Sequence, residues 1–225
     1  TCALPIYAHA DHISGAQLLK KYFPQAKTGI GERITEVQKV FQPVFNLKSL
    51  KTDGSQFDKL FKENETAQAG SFSFKVLFTP GHTPACASYV IEDVVFTGDA
   101  LFMPDVGTGR CDFPQGSADM LYTSVTEKLY SLPDKTRVFT GHDYPNGGRE
   151  VKYESTIAEE KATNIHIKGK TTREEYVSFR TNRDKTLSAP KLLLPSIQVN
   201  IDGGKFPEAQ SNGKSYLNIP ISIKT

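Results

Sequence analysis

The sequence predicts an α/β domain of mixed strands and amphipathic helices, and three observations carry that expectation. Phe72, Phe74, Val76 and Phe78 alternate with Ser73, Lys75 and Leu77, the period-two pattern of a strand. Leu121, Val125 and Leu129 recur at helical spacing behind Ser117, a capping residue, and Pro133 lies beyond the end. Strand-type runs end three times in Gly followed by a ligand-type residue, at Gly81-His82, Gly98-Asp99 and Gly141-His142.

A chain of 225 residues can bury a core of its own. Its acids and bases nearly balance at a formal +2, so neither nucleic acid nor an anionic membrane surface is expected as a partner. No run approaches the ~20 apolar residues of a membrane span, and the basic, apolar, small-residue order of a signal peptide is missing. A cytoplasmic location is expected. Cys2, Cys86 and Cys111 are odd in number and unpatterned in spacing, which argues for reduced thiols over a disulfide framework or a Cys-based zinc site.

The elements follow in order. Thr1 to Tyr7 open without Met and run without a turn signal into the motif beyond them. They can be back-translated into the end of a common sequencing-library adapter, so a truncated frame with residues 1–7 artefactual is expected. Ile13, Ala16, Leu19 and Tyr22 or Phe23 predict a helix over about 13–23, ended by Pro24, and Ile34 to Phe41 predict a second. The polar stretch 42–70 carries no clear pattern. After the strand over 72–78, Ala87 to Ile91 and Val94 to Thr97 predict two strands joined at Glu92-Asp93, and Arg137 to Thr140 predict another. Thr172 and Glu175 have capping-box spacing ahead of a helix through about Asp184. Residues 1–185 are expected as the domain. Residues 186–225 are expected as an extension that packs on it or on a second subunit, which allows a homodimer; Tyr216 to Ile223, interrupted by Pro220, suit an edge strand or an extended arm.

The chemistry lies in the histidines. A divalent metal needs imidazoles and carboxylates converging at about 2.0 to 2.2 Å, supplied by close sets plus distant partners. His9, Asp11 and His12 form the close set, in the order His-x-Asp-His. Taken singly, His82, Asp99 and His142 read as turn residues. Four of the five histidines nevertheless fall in that motif or at a Gly-preceded strand end, and strand-end loops on one sheet edge can converge. Only His166 stands apart, and it reads as a packing or surface residue.

Four elements in this order, His9-x-Asp11-His12, Pro80-Gly81-His82-Thr83-Pro84, Thr97-Gly98-Asp99 and Gly141-His142-Asp143, resemble the metallo-β-lactamase superfamily over roughly residues 8–144. The resemblance implies an αββα sandwich, here missing its first strands. Ser14-Gly15 and Thr79 to Pro84 are close to its thiol-substrate branch of glyoxalase II and persulfide dioxygenases. Gly107-Thr108-Gly109-Arg110-Cys111-Asp112-Phe113 resembles the dioxygenase pattern Gly-x-Gly-Arg-x-Asp-Phe, as does His142-Asp143-Tyr144.

That likeness implies Fe(II) held by His82, Asp99 and an imidazole of the first motif, for which His9 is the candidate in this chain, with a small thiol or persulfide substrate, O2 and no organic cofactor. Arg110 and Tyr144 would join Asp99 as catalytic and substrate-contacting residues, although Arg110 can equally form a structural ion pair with Asp112. Asp11, His12 and His142 would surround the metal as hydrogen-bonding groups, or hold a second one. Tyr7 departs from the pattern, because the first His of the family motif, an iron ligand in the dioxygenases, would stand there. Two other functions stay open: a thiolester hydrolase of glyoxalase II type with two zinc ions, and an inert truncated domain. Neither Cys86 nor Cys111 has a nearby base with triad logic, and both read as buried or structural.

Overall fold

The computed structural model of the protein describes residues 2–3 and 10–221. Its elements run β1 Cys2–Ala3, α1 Ala16–Tyr22, β2 Lys27–Gly31, α2 Ile34–Val44, β3 Lys59–Phe61, β4 Thr66–Ala69, β5 Phe72–Phe78, β6 Ala87–Ile91 and β7 Val94–Gly98. They continue with α3 Ala118–Thr123, β8 Arg137–Thr140, β9 Glu154–Thr156, α4 Ile157–Thr163, α5 Arg173–Asp184 and α6 Leu193–Asn200. Two compact units result, one of residues up to Phe61 with those from Ser188 on, the other from Lys62 to Leu187. No helix of the described residues is long and apolar enough to cross a membrane.

In the first unit β1, β2 and β3 form a parallel sheet in that order. Gly29 lets β3 come close, since a Cβ there would stand 2.5 Å from the Phe61 ring. Helix α2 buries Ile34, Val37 and Phe41 at helical spacing together with Gln38, whose amide is satisfied by Gln56, Gly54 and the Ile201 carbonyl. Helix α6 buries Ile197 and Val199. Its Asn200 accepts from the Ser14 amide and donates to the His12 carbonyl, and its Gln198 exchanges hydrogen bonds with the Asn218 backbone. Asn218 also donates to the Phe45 carbonyl. Residues 216–221 form no strand, and 222–223 of the expected strand or arm lie outside the described residues.

The second unit is a six-stranded sheet in the order β4 to β9, with β7 and β8 parallel and the other neighbours antiparallel. Strand β5 buries Phe74, Val76 and Phe78 of its alternating face, while Phe72 at its start is exposed and Leu77 of the opposite set is buried as well. Ser117 caps α3 by accepting from the Met120 amide, and the helix continues as a wider π-type turn over Ser124–Leu129. Leu121, Val125 and Leu129 are fully buried with Val95, Val138 and Tyr176 in one core. The capping box of Thr172 and Glu175 opens α5.

One buried acid makes this unit sensitive to pH. Glu160 on α4 accepts from the Ser155 hydroxyl at 2.6 Å and the Asn164 amide at 2.8 Å. Burial pushes its carboxyl from an ordinary 4.5 up to about 7, against the opposing pull of those two donors. The folded state therefore holds a proton that the unfolded chain releases. Stability from this group is full below about pH 4.5, declines as pH rises towards 7, and stays at its lower level above that. Urea unfolding at pH 5 and pH 8 is expected to show the parent losing about 3 kcal/mol relative to Glu160→Gln across that interval.

Candidate metal centre

Strands β5, β7 and β8 run in one direction, because two successive antiparallel steps lead from β5 to β7 and a parallel one leads on to β8. The residues that follow them emerge at the same sheet edge. His82, Asp99 and His142 are those residues, and the fold brings them together: His82 Nε2 stands 3.6 Å from Asp99 Oδ2, and His142 Nε2 stands 3.7 Å from Asp99 Oδ1. Asp99 is 4% exposed and His82 6%.

Each loop is pinned by contacts that the motifs alone do not reveal. The His82 turn needs Gly81 (φ +143°), where a Cβ would stand 2.4 Å from that of Leu121. The Ser117 amide donates to the Gly81 carbonyl at 2.8 Å, and the Ser124 hydroxyl to that of Pro80 at 2.7 Å. Gly98 has φ +53°, and its carbonyl accepts from the Gly141 amide, tying the Asp99 turn to the His142 turn. The Gly109 amide donates to the Asp99 carbonyl, and a Cβ on Gly109 would meet that oxygen at 2.2 Å.

His82 is oriented for ligation. Its Nδ1 lies 2.5 Å from the Arg110 carbonyl, which can only accept, so Nδ1 carries a proton and, in the neutral ring, the Nε2 lone pair faces Asp99. The two imidazole-to-carboxylate separations are longer than a hydrogen bond, yet within the span of two ligands that each lie about 2.1 Å from a shared cation. Among the described residues no three such side chains stand as a closed metal-holding group, so the fit rests on these two pairs. A buried carboxylate between two imidazoles is a donor set that suits a divalent metal.

The other expected residues are placed as follows. Tyr7 and His9 lie outside the described residues. Asp11 and His12 belong to the first unit, where His12 Nδ1 is 2.9 Å from Asp11 Oδ1. Tyr144 is 55% exposed, with its ring beside those of His142 and Phe102. Arg110 forms a two-pronged ion pair with Asp112. Burial alone would raise the Asp112 carboxyl, but the guanidinium outweighs it and holds the group below the usual carboxylate range.

Two sets of supporting residues escaped the sequence reading. Arg149 grips both oxygens of Asp105 and both of Asp143, joining the loop after Asp99 to the loop that carries His142 and Tyr144. Arg180, Asp184, Tyr176 and His166 hold residues 108–111 from α5 and the segment before it. Only the i, i+4 spacing of Arg180 and Asp184 was available as a signal, and it is that of an ordinary surface pair. Cys86 and Cys111 are buried, and burial pushes the Cys111 thiol up, away from nucleophilic use.

Residues 8–142 match the family described as the Metallo-beta-lactamase superfamily. The chain belongs to that superfamily. Its members bind metal ions, and its α/β fold is the one seen here. Within the superfamily the chain is 53% identical to "Glyoxylase B2" of Dictyostelium discoideum, over 97% of this chain and 75% of that protein. It is 35% identical to the bovine "Persulfide dioxygenase ETHE1, mitochondrial", over 73% of this chain and 56% of the relative. Other curated relatives match along nearly all of this chain, which spans about half of their length. Among solved structures, ETHE1 from Myxococcus xanthus superposes with a TM-score of 0.73 at 34% identity, covering 91% of this chain and 78% of that one.

Proposed function

We propose that the chain carries the catalytic site of an iron-dependent persulfide dioxygenase, which oxidises the sulfane sulfur of glutathione persulfide or a similar small persulfide to sulfite. One observation carries this reading: the segment with the dioxygenase-type pattern, Gly107 to Phe113, forms the wall of the site. Its Gly109 amide meets the Asp99 carbonyl and its Arg110 carbonyl fixes the His82 ring. The likeness to persulfide dioxygenases of other organisms supports the same activity.

The reaction balances as RSSH + O2 + H2O giving RSH, sulfite and two protons. The persulfide supplies the electrons, so no organic cofactor is required. Bound Fe(II) would supply a centre at which persulfide sulfur and O2 meet. His82 and Asp99, with His9, would hold it. His82 keeps its Nε2 lone pair directed inward because Nδ1 is engaged by Arg110. Tyr144, exposed beside His142 and Phe102, would contact the thiol part of the substrate. Arg110, tied to Asp112, would order the wall. Asp11, His12 and His142 would serve as hydrogen-bonding groups around the metal.

A second reading, a dinuclear thiolester hydrolase, is favoured by the 49% identity to a "Beta-lactamase hydrolase-like protein" and by the two oxygens of Asp99 facing separate imidazoles, as a carboxylate shared by two metals would. Oxygen-electrode assays on iron-loaded protein decide between them. Oxygen uptake with glutathione persulfide and matching release of sulfite is expected, stronger in Tyr7→His, which restores the imidazole of the family motif. Absence of uptake by iron-loaded Tyr7→His, with cleavage of an acylglutathione by the zinc-loaded protein, would replace this reading with the hydrolase.

A further inference from the structure

His166 is the histidine that the metal motifs leave aside, yet it is tied to the site through one residue. Its Nδ1 lies 3.0 Å from the Thr108 amide, which can only donate, so Nδ1 carries the lone pair. Thr108 is buried and held at two further points: its hydroxyl meets Tyr176 Oη at 2.8 Å, and its carbonyl accepts from Arg180 Nη1 at 3.1 Å. The chain packs so closely here that a Cβ on Gly107, whose φ is +98°, would stand 2.0 Å from His166 Nδ1.

The two residues after Thr108 reach the metal site directly. Gly109 donates to the Asp99 carbonyl, and Arg110 gives the carbonyl that receives the His82 Nδ1 proton. A shift of Thr108 therefore moves the partner that sets which His82 nitrogen is bare. Groups behind a metal-ligating imidazole fix its tautomer and direction, and their loss weakens metal binding about 10- to 100-fold.

We propose that His166 is a positioning residue of the metal site: by accepting from the Thr108 amide it places the Gly109–Arg110 backbone and so holds His82 as the Nδ1–H tautomer with Nε2 free to ligate. The value of this for metal binding rests on the reading of His82 and Asp99 as ligands; the effect on the His82 tautomer does not. A simple packing role would lie in the His166 ring against Phe179, with centroids 4.6 Å apart.

Two substitutions separate these roles. His166→Asn keeps an acceptor oxygen near the place of Nδ1 and gives up the ring; His166→Leu keeps apolar bulk and gives up the acceptor. Ring-nitrogen NMR of the metal-free protein reads the His82 tautomer, and zinc titration reads affinity. The parent and His166→Asn are expected to show His82 protonated at Nδ1. His166→Leu is expected to show mixed tautomers and to bind zinc about tenfold more weakly. If the Leu variant fails to fold, His166→Phe retains the ring without the acceptor and should show the same changes. A His166→Leu or His166→Phe protein with the parent's His82 tautomer overturns the proposal. A parent that binds no zinc would remove the metal-site reading, while the tautomer comparison would still decide the role of His166.

Discussion

Asp99→Ala is expected to leave a folded protein that no longer takes up metal. Its carboxylate lies between His82 and His142, with one oxygen facing each imidazole. The backbone of the loop does not depend on that carboxylate, because the Gly109 amide bonds to the Asp99 main-chain oxygen. Replacing a buried carboxylate by a methyl group also removes a desolvation cost. Metal-free parent and variant should therefore melt within a few degrees of each other. Adding zinc at about 100 times the parent's Kd should stabilise the parent by roughly 2.7 kcal/mol and the variant by nothing measurable. A variant that keeps the parent's metal content and zinc-induced shift would refute Asp99 as a ligand.

Arg180→Met is expected to be strongly destabilising. The guanidinium is 2% exposed, donates twice to Asp184 Oδ1 and once to the Thr108 carbonyl, and Asp184 in turn accepts from the Cys111 amide at 2.7 Å. Removing the cation strands a buried carboxylate, which costs about 3–5 kcal/mol. Arg180→Lys should recover only part of this, since a single ammonium cannot reproduce the planar fork that serves both Asp184 and Thr108. The double variant Arg180→Met/Asp184→Leu should recover more, while leaving the Cys111 amide without its acceptor. Urea unfolding of the three proteins checks the order. A loss below about 1 kcal/mol in Arg180→Met would show that Asp184 finds another partner or that the pair contributes little.

The sequence announced those parts whose signal is local. Strand β5 showed in its alternating phenylalanines, α5 in the Thr172–Glu175 box, and the buried stripe of α3 and its continuation in Leu121, Val125 and Leu129. The sheet-edge placement of His82, Asp99 and His142 followed from Gly at the strand ends. Strand β2, Lys-Thr-Gly-Ile-Gly, gave no such sign, because nearly all of it is buried and two of its five residues lack a side chain. Strand β9 has only three residues, and α6 is buried on Ser196, Ile197, Gln198, Val199 and Asn200, too broad a surface for an amphipathic stripe to show. The roles of Arg149, Arg180 and His166 depend on partners up to 72 residues away, at separations where no local period operates.

The most direct test of the metal centre is anomalous X-ray scattering at the iron and zinc edges from crystals of protein loaded with each metal in turn. A peak within about 2.0–2.2 Å of an Asp99 carboxylate oxygen and of His82 Nε2 is the expected result. A fully metal-loaded crystal whose peak lies away from both residues would contradict it.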